Sequence, residues 1–461
     1  MGINNKLATV RTSQRRDRQQ DSELFYGWGL NWATLNQAEK VVCSLIVLIP
    51  LWWLWGWSYT ILFLTFAVLV YEIKTTGYLA LGKPSWLVTW ALLFGGYSIV
   101  AGYFYLEANN IAYSPRQILG TWETWICSAL LMWYIQTKEL KVRLRVVAWA
   151  FSVVTALMLV VFLASLLVFQ QADYIPLRSI FGFLTGKETV FEHGLGNSNY
   201  LIPYFAKDES FIPGLVRYVF FFHGPESLAL VAGFTVLLAL DLKERTWSLG
   251  LFASAYFISL LSGTRSVFVS LILVIVLRYV ISAGKTFGVA LILGLLASIS
   301  FATFSLPMTS NAVFDTINQA AQGVNAARAD SSLGRGEIYT ETWHRIVHAP
   351  DVELLFGHVV PGETVTPNYE PAKIGTHSFY LSTLLYRSGI IGTLIFIGYW
   401  STLWRSLYQN RTVQPLSCLM VMVLFSLTFC VMELERPVMP LTLLCLMLYQ
   451  APKMKSLRTK R

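Results

Sequence analysis

The stretch WSLGLFASAYFISLLSGTRSVFVSLILVIVL, residues 247–277, decides the architecture of this chain. Two apolar runs, 247–262 and 266–281, are separated only by Ser262-Gly263-Thr264-Arg265. Each approaches the length that crosses a bilayer, so the pair reads as two membrane helices joined by a tight turn. The turn carries an arginine, and charge at a membrane edge is costly and kept mainly where it does work.

Ten further apolar runs flank this pair, near 41–57, 58–73, 86–106, 120–136, 146–170, 223–241, 287–306, 377–403, 415–432 and 438–450. Of the 461 residues 55% are hydrophobic and only 13% charged, and the mean hydropathy of +0.54 excludes a soluble globule. The expected fold class is all-α: a polytopic integral membrane protein of about twelve transmembrane helices. The first pair, split only by Gly56-Trp57-Ser58, also fits a re-entrant hairpin.

Lys and Arg give the orientation. With the N-terminus in the cytoplasm, the inside segments hold Lys74 and Lys83; Lys138, Lys141, Arg143 and Arg145; Lys243 and Arg245; Arg278 and Lys285; Arg405 and Arg411; and both basic tails. The other basic residues are spread over much longer loops. The net charge of +9 is therefore largely positive-inside anchoring and gives no support for nucleic-acid binding. The resulting divisions are 1–40, a cytoplasmic basic tail; 41–170, N-terminal helices; 171–222, a first large outer loop; 223–306, central helices; 307–376, a second large outer loop; 377–450, C-terminal helices; and 451–461, a cytoplasmic basic tail. The first 40 residues lack the apolar core of a signal peptide. Cys43, Cys127, Cys418, Cys430 and Cys445 all fall inside predicted helices, which argues against a disulfide framework.

Both outer loops contain apolar residues that need cover, so they are expected to cap the bundle. In the second, Val313, Phe314, Ile317, Ala320, Ala321, Val324 and Ala327 share a helical face over 313–327. A second helix is predicted over 337–347, apolar at Ile338, Trp343 and Ile346, and ended by Ala349-Pro350.

The outer side collects the chemistry. Arg265 reads as a snorkelling helix-end residue or as a phosphate ligand, since a guanidinium fork binds two phosphate oxygens and a helix start favours anions. Arg217 is an interfacial anchor among aromatics or a second cation. Arg335 is a loop ion-pair member, with Glu337 or Glu341, or a third. His377 opens a helix at the outer boundary, either structural or suited to proton transfer near neutral pH. His223 and Glu226 are accessory candidates. Arg387, ten residues past His377 on a helix, is expected about 15 Å inward, near mid-bilayer, facing the protein interior, pairing with a buried acceptor or lining a lipid path. His344 and His348, four apart, have no telling partner for a metal, and no metal or cofactor is expected. Walker, dinucleotide, His-Glu-x-x-His and Cys-x-x-Cys motifs do not occur. An enzyme on the outer side has no ready nucleotide supply, so its substrate must arrive activated, and a lipid-linked diphosphate fits.

Four motifs in order carry a resemblance: Arg217 before His223-Gly-Pro-Glu226-Ser; Ser262-Gly-Thr-Arg265; Arg335 to Trp343 with Leu354-Leu-Phe-Gly357-His; and His377-Ser378 followed by Gly389-Ile-Ile-Gly392. Over roughly residues 210–400 the chain resembles the O-antigen ligase and polymerase superfamily. His-Gly-Pro-Glu-Ser departs from that family's Gly-Asn-Pro-Asn-like turn. The resemblance implies a GT-C-like membrane glycosyltransferase of the bacterial inner membrane. It would move a glycan from undecaprenyl diphosphate to an acceptor hydroxyl on a glycan, lipid or protein. The reaction would occur at the periplasmic face, without metal and with inversion. Arg217, Arg265 and Arg335 would hold the diphosphate, and His377 would act as base or orient the acceptor. Ligase and polymerase stay equally open. A small-anion transporter of the bicarbonate kind and a non-catalytic envelope assembly protein are the competing readings.

Overall fold

The computed structural model describes residues 24–108, 110, 115–169, 176–185, 199–212, 214–287, 329–365 and 372–450. The predicted 313–327 helix, all but the first residue of the 287–306 run and most of both tails lie outside the described residues. The principal helices are α1 (Gln37–Val47), α2 (Ile49–Trp55), α3 (Thr60–Thr76), α4 (Trp86–Ala108), α5 (Ser128–Thr137), α6 (Leu144–Ala164), α7 (Pro225–Ala239), α8 (Arg245–Leu261), α9 (Arg265–Phe287), α10 (Ala329–Val347), α11 (Asp351–Phe356), α12 (Ser388–Gln409), α13 (Leu416–Thr428) and α14 (Val438–Met447), with short helical turns at Pro115–Thr121 and Ile180–Thr185. Three small two-stranded pairings accompany them: β1 (Phe25–Tyr26) with β2 (Gly29–Leu30), β3 (Val142–Arg143) with β6 (Leu448–Tyr449), and β4 (Tyr204–Glu209) with β5 (Val216–Tyr218).

The chain is a mostly helical, multi-pass membrane protein, but the expected count of about twelve spans is not reached. Among the described residues four helical stretches are long and apolar enough to cross, Trp86–Ala108, Leu144–Leu167, Arg265–Ser282 and Phe379–Gln409, or five if α1 and α2, bent by 58°, form one broken span. The reason is length. The 223–241 and 415–432 runs yield helices of only 15 and 13 residues, about 20 Å at ~1.5 Å per residue against a core of about 30 Å. The 120–136 run divides into a π-helical stretch, Trp122–Cys127, and α5.

α7 forms the centre of the bundle. Every residue in it except Glu226 is buried, the signature of a helix surrounded on all sides. It packs against α6, α8, α9, α13 and α14. Outer helices show two faces. On α9, Val267, Leu271 and Val274 are buried, while Val269, Ile272, Leu273 and Val276 are exposed at helical spacing, as a lipid-facing stripe requires.

Ion pairs sort into two ends. One end joins Glu39 to Arg143, Glu72 to Lys138, Arg145 to Glu244 and Asp241 to Arg278. Glu39 also closes the α1 capping box with Asn36. The other end joins Arg217 to Glu226, Arg387 to Glu433, Arg345 to Glu341 and Glu363, and His358 to Glu353. None of these pairs links the two sets.

The second outer loop docks through two glycines. Gly389 has φ +63 and interrupts the helix at the start of α12. A Cβ there would lie 2.4 Å from the Leu355 carbonyl oxygen, and a Cβ on Gly357 would lie 2.4 Å from that of Arg387. His358 and Val359 donate their N–H groups to the Tyr386 and Arg387 carbonyls, and the Tyr97 hydroxyl, with one proton to share, lies 2.7 Å from the Ser388 carbonyl oxygen and 3.0 Å from that of Phe356. The glycines of the Leu354–His358 and Gly389–Gly392 motifs thus let two backbones touch. α10 buries Ile338 and Ile346 as expected, but Trp343 is 55% exposed and Thr342 takes the inward position. Cys430 lies in the turn after α13 and is exposed, rather than inside a helix.

Gly389→Ala is expected to cost at least about 2 kcal/mol, because neither the φ nor the contact tolerates a Cβ. Gly250→Ala, in α8 with open space around it, should be neutral or stabilising by up to about 1 kcal/mol. Thermal unfolding of the two variants in detergent measures the contrast.

Candidate active site

Arg217 is positioned by the β4–β5 hairpin, opposite Phe205. Its neighbour Tyr218 is fully buried, stacks on Phe220 and shares a hydrogen bond with the Ser165 hydroxyl at 2.7 Å. Strand alternation sends Arg217 to the other face. There Nε donates to the Ser262 carbonyl at 2.7 Å, and Nη2 donates to Thr264 Oγ1 at 3.3 Å and to Glu226 Oε1 at 2.9 Å. One guanidinium therefore ties the hairpin, the Ser262–Thr264 turn and the first turn of α7. Gly263, at φ +63, makes that turn, and Arg265, partly buried, is the first residue of α9. Pro225 at the start of α7 and Glu226 in its first turn suit a helix N-terminus.

A segment that sequence reasoning missed, Glu433-Leu434-Glu435-Arg436 between α13 and α14, completes this end. Glu435 Oε2 accepts from Ser227 Oγ at 2.6 Å, and Ser266 Oγ donates to Met432 Sδ at 3.0 Å. Burial, then the charges of Glu226 and Glu433, push the Glu435 carboxyl up to about 7. Burial and Arg436 push His223 down to about 3, so its imidazole is neutral at physiological pH.

His377 sits at this same end, with φ +67, a strained conformation for a residue with a Cβ. Its N–H donates to Glu433 Oε1 at 3.3 Å, and its carbonyl accepts from the Tyr339 hydroxyl of α10 at 3.0 Å. On either side, Thr342 Oγ1 accepts from Gly375 N–H at 2.9 Å, Ser382 Oγ donates to the Thr376 carbonyl at 2.7 Å, and Ser378 caps the π-helical stretch Phe379–Arg387. Three segments over-determine the backbone at His377. Burial lowers its pKa below 6.5, and Arg335 lowers it further against the opposing charges of Glu433 and Glu226. Arg335, exposed on α10, therefore lies within electrostatic reach of the imidazole.

The inward placement of Arg387 is corrected. Nη2 pairs with Glu433 Oε2 at 3.2 Å, the carboxylate that also holds His377. The segment 379–387 is π-helical and ends at the Gly389 break, so counting 1.5 Å per residue from His377 into the bilayer does not apply. The Glu433 pairing instead keeps the guanidinium beside the His377 backbone. His344 and His348 have rings 4.2 Å apart, but His348 Nδ1 faces the His344 carbonyl, and no third ligand joins them among the described residues.

Arg217, Glu226, the Arg265 turn and His377 thus meet at one end of the bundle, together with Glu433, Glu435 and Arg387. His223 and Arg335 act on the same cluster through space. The missed loop had a visible signal: three charges within four residues between two apolar runs.

Residues 248–397 match the family model described as O-antigen ligase. The match covers about a third of the chain, and this segment is similar to an O-antigen ligase domain. It contains Arg265, Arg335, His377 and Arg387, while Arg217 and Glu226 reach in from before it and Glu433 and Glu435 from after it. No curated protein matches the chain. The similarity supports a general glycan-transfer or ligase role.

Glu435 yields a pH test of the cluster. Its folded pKa lies above the ordinary 4.5, so the folded state binds the extra proton and stability falls as pH rises from about 4.5 through 7. Glu435→Gln should remove that component. Unfolding midpoints across this range should decline less steeply in the variant than in the parent.

Proposed function

We propose that the chain transfers a glycan from an undecaprenyl-diphosphate carrier to an acceptor hydroxyl on a glycan, lipid or protein, at the periplasmic face of a bacterial inner membrane. The observation that carries this reading is the meeting of arginines and a strained histidine, from separate segments, at one end of a helical bundle that contains a segment similar to an O-antigen ligase domain. The positive-inside distribution puts that end outside, with both termini in the cytoplasm.

In the reaction the acceptor oxygen forms a bond to the anomeric carbon from the face opposite the leaving group, which inverts the centre. The bond from that carbon to the diphosphate oxygen breaks, and the diphosphate leaves with the electron pair. The acceptor proton passes to His377. The leaving group needs cations already in place where charge develops. Arg265, at a helix N-terminus, and Arg335, above His377, supply them, so no metal is required. Arg217 serves the same diphosphate by fixing the Arg265 turn and lending its charge. His223 and Glu226 are accessory: Glu226 orients Arg217, and His223 gives a neutral wall. The confinement of these charges to one end, rather than to mid-membrane, weighs against a transporter.

Arg265→Ala and His377→Ala should abolish transfer while folded protein remains, and Arg265→Lys should also be poor, because an ammonium lacks the fork. Binding of undecaprenyl diphosphate in chelator, compared between the parent protein, Arg217→Ala and Arg265→Ala, tests the donor site directly. Binding untouched by either substitution would sink the assignment.

A neutral His377 is the active base, so the rate should fall on acidification below pH 6.5, where the imidazole takes up its proton. Glu433 holds that pKa up. Glu433→Gln should therefore shift the acid limb of the pH–rate profile to lower pH, and a shift the other way would contradict the placement.

A further inference from the structure

The Thr376 hydroxyl contacts two groups. Oγ1 lies 2.6 Å from the Lys373 carbonyl oxygen and 2.8 Å from His377 Nδ1. A hydroxyl has one proton to give. A carbonyl oxygen can only accept, and two oxygens at 2.6 Å with no proton between them repel, so the hydroxyl proton lies on the line to Lys373. Oγ1 must then accept from His377, which requires a proton on Nδ1. In the neutral imidazole this leaves the lone pair on Nε2.

From this geometry we infer that Thr376 is a positioning residue that fixes the tautomer of His377, so that the proton taken from the acceptor arrives at Nε2 and leaves from it. This rests on the glycan-transfer reading above and adds to it the atom at which His377 works. The same Nδ1–H persists in the imidazolium, so Thr376 keeps its bonds through the proton transfer and nothing has to reorganise. A histidine without such a partner favours the Nε2–H form, in which the nitrogen available to substrate cannot accept a proton. The strained backbone supports the assignment: Glu433, Tyr339 and Ser382 hold the peptide groups around His377, while Thr376 alone engages a ring nitrogen among the described residues. The charges that face the ring are Arg335 from α10, Glu433 from the 433–436 loop, with Arg387 beyond it, and Glu226 from α7.

The test uses the full chain in lipid nanodiscs, labelled with ¹⁵N-histidine. The His377 signals are identified by their loss in His377→Gln among the six histidines. At pH 8 the parent and Thr376→Ser should show the Nδ1–H tautomer, whereas Thr376→Val should move to a mixture dominated by Nε2–H. Transfer from undecaprenyl-diphosphate-linked glycan should fall by roughly 10²-fold in kcat for Thr376→Val, with KM little changed and Ser restoring the rate. An Nε2–H tautomer in the parent, or an unchanged tautomer in Thr376→Val, overturns the inference. If the tautomers behave as stated but His377→Gln transfers glycan as fast as the parent, the tautomer assignment stands and the catalytic role of His377 fails.

Discussion

Charge in this molecule is confined to the two ends of an apolar bundle, and the rest of the structure follows from that confinement. An ion in the low-dielectric middle would need a partner and a full set of hydrogen bonds to persist. α7 shows the constraint most sharply: it is buried all round, and its one ionisable side chain, Glu226, is held in the first turn. Glu226, Arg217 and the Ser262–Thr264 turn can then meet only at that level. The same exclusion holds Glu39, Arg143, Asp241 and Arg278 at the opposite end.

The two ends use their charges differently. At the Glu39 end the pairs are mutual: Arg143 is bidentate on Glu39, and Arg278 sits on Asp241. Such pairs neutralise each other and pin the ends of α1, α6 and α9. At the Glu226 end the groups are linked rather than paired off. Glu433 serves both Arg387 and the His377 backbone, Glu226 influences Glu435 and His377, and Arg335 adds a cation with no ion-pair partner among the described residues. Carboxylates crowded enough to raise a pKa, beside a histidine in a left-handed conformation, are costly arrangements that a purely structural end would not keep.

Much of this was legible in the sequence. The apolar runs marked most of the described helices. The Ser262–Arg265 turn and His377 stood out as charges at run boundaries. What failed did so for identifiable reasons. Arg387 was carried inward because a continuous α-helix was assumed, whereas a π-helical stretch and the Gly389 break keep it at the rim. The β4–β5 hairpin went unread because β5 has three residues, too few for an alternation to register. Glu433, Glu435 and Arg436 were overlooked because strongly apolar neighbours drown a four-residue gap. Trp343 was assigned inward by hydropathy, yet Thr342 holds that position because its hydroxyl has a backbone N–H of Gly375 to accept.

The glycines of the second outer loop explain how these parts remain in register. Gly357 and Gly389 bring the loop backbone against the start of α12, and the Tyr97 hydroxyl of α4 lies within hydrogen-bond distance of carbonyls on both sides of that contact. α10, which carries Arg335 and Tyr339, leads through α11 into the same contact. Its distance from His377 is thus set by backbone packing rather than by flexible side chains. On the proposed reading, a helix and a histidine backbone held in this way limit the reorganisation needed when charge appears on a leaving group. Arg217 follows the same logic: with Ser262, Thr264 and Glu226 holding its fork, its charge is delivered to the start of α9 at a fixed place, beside Arg265, before any anion arrives.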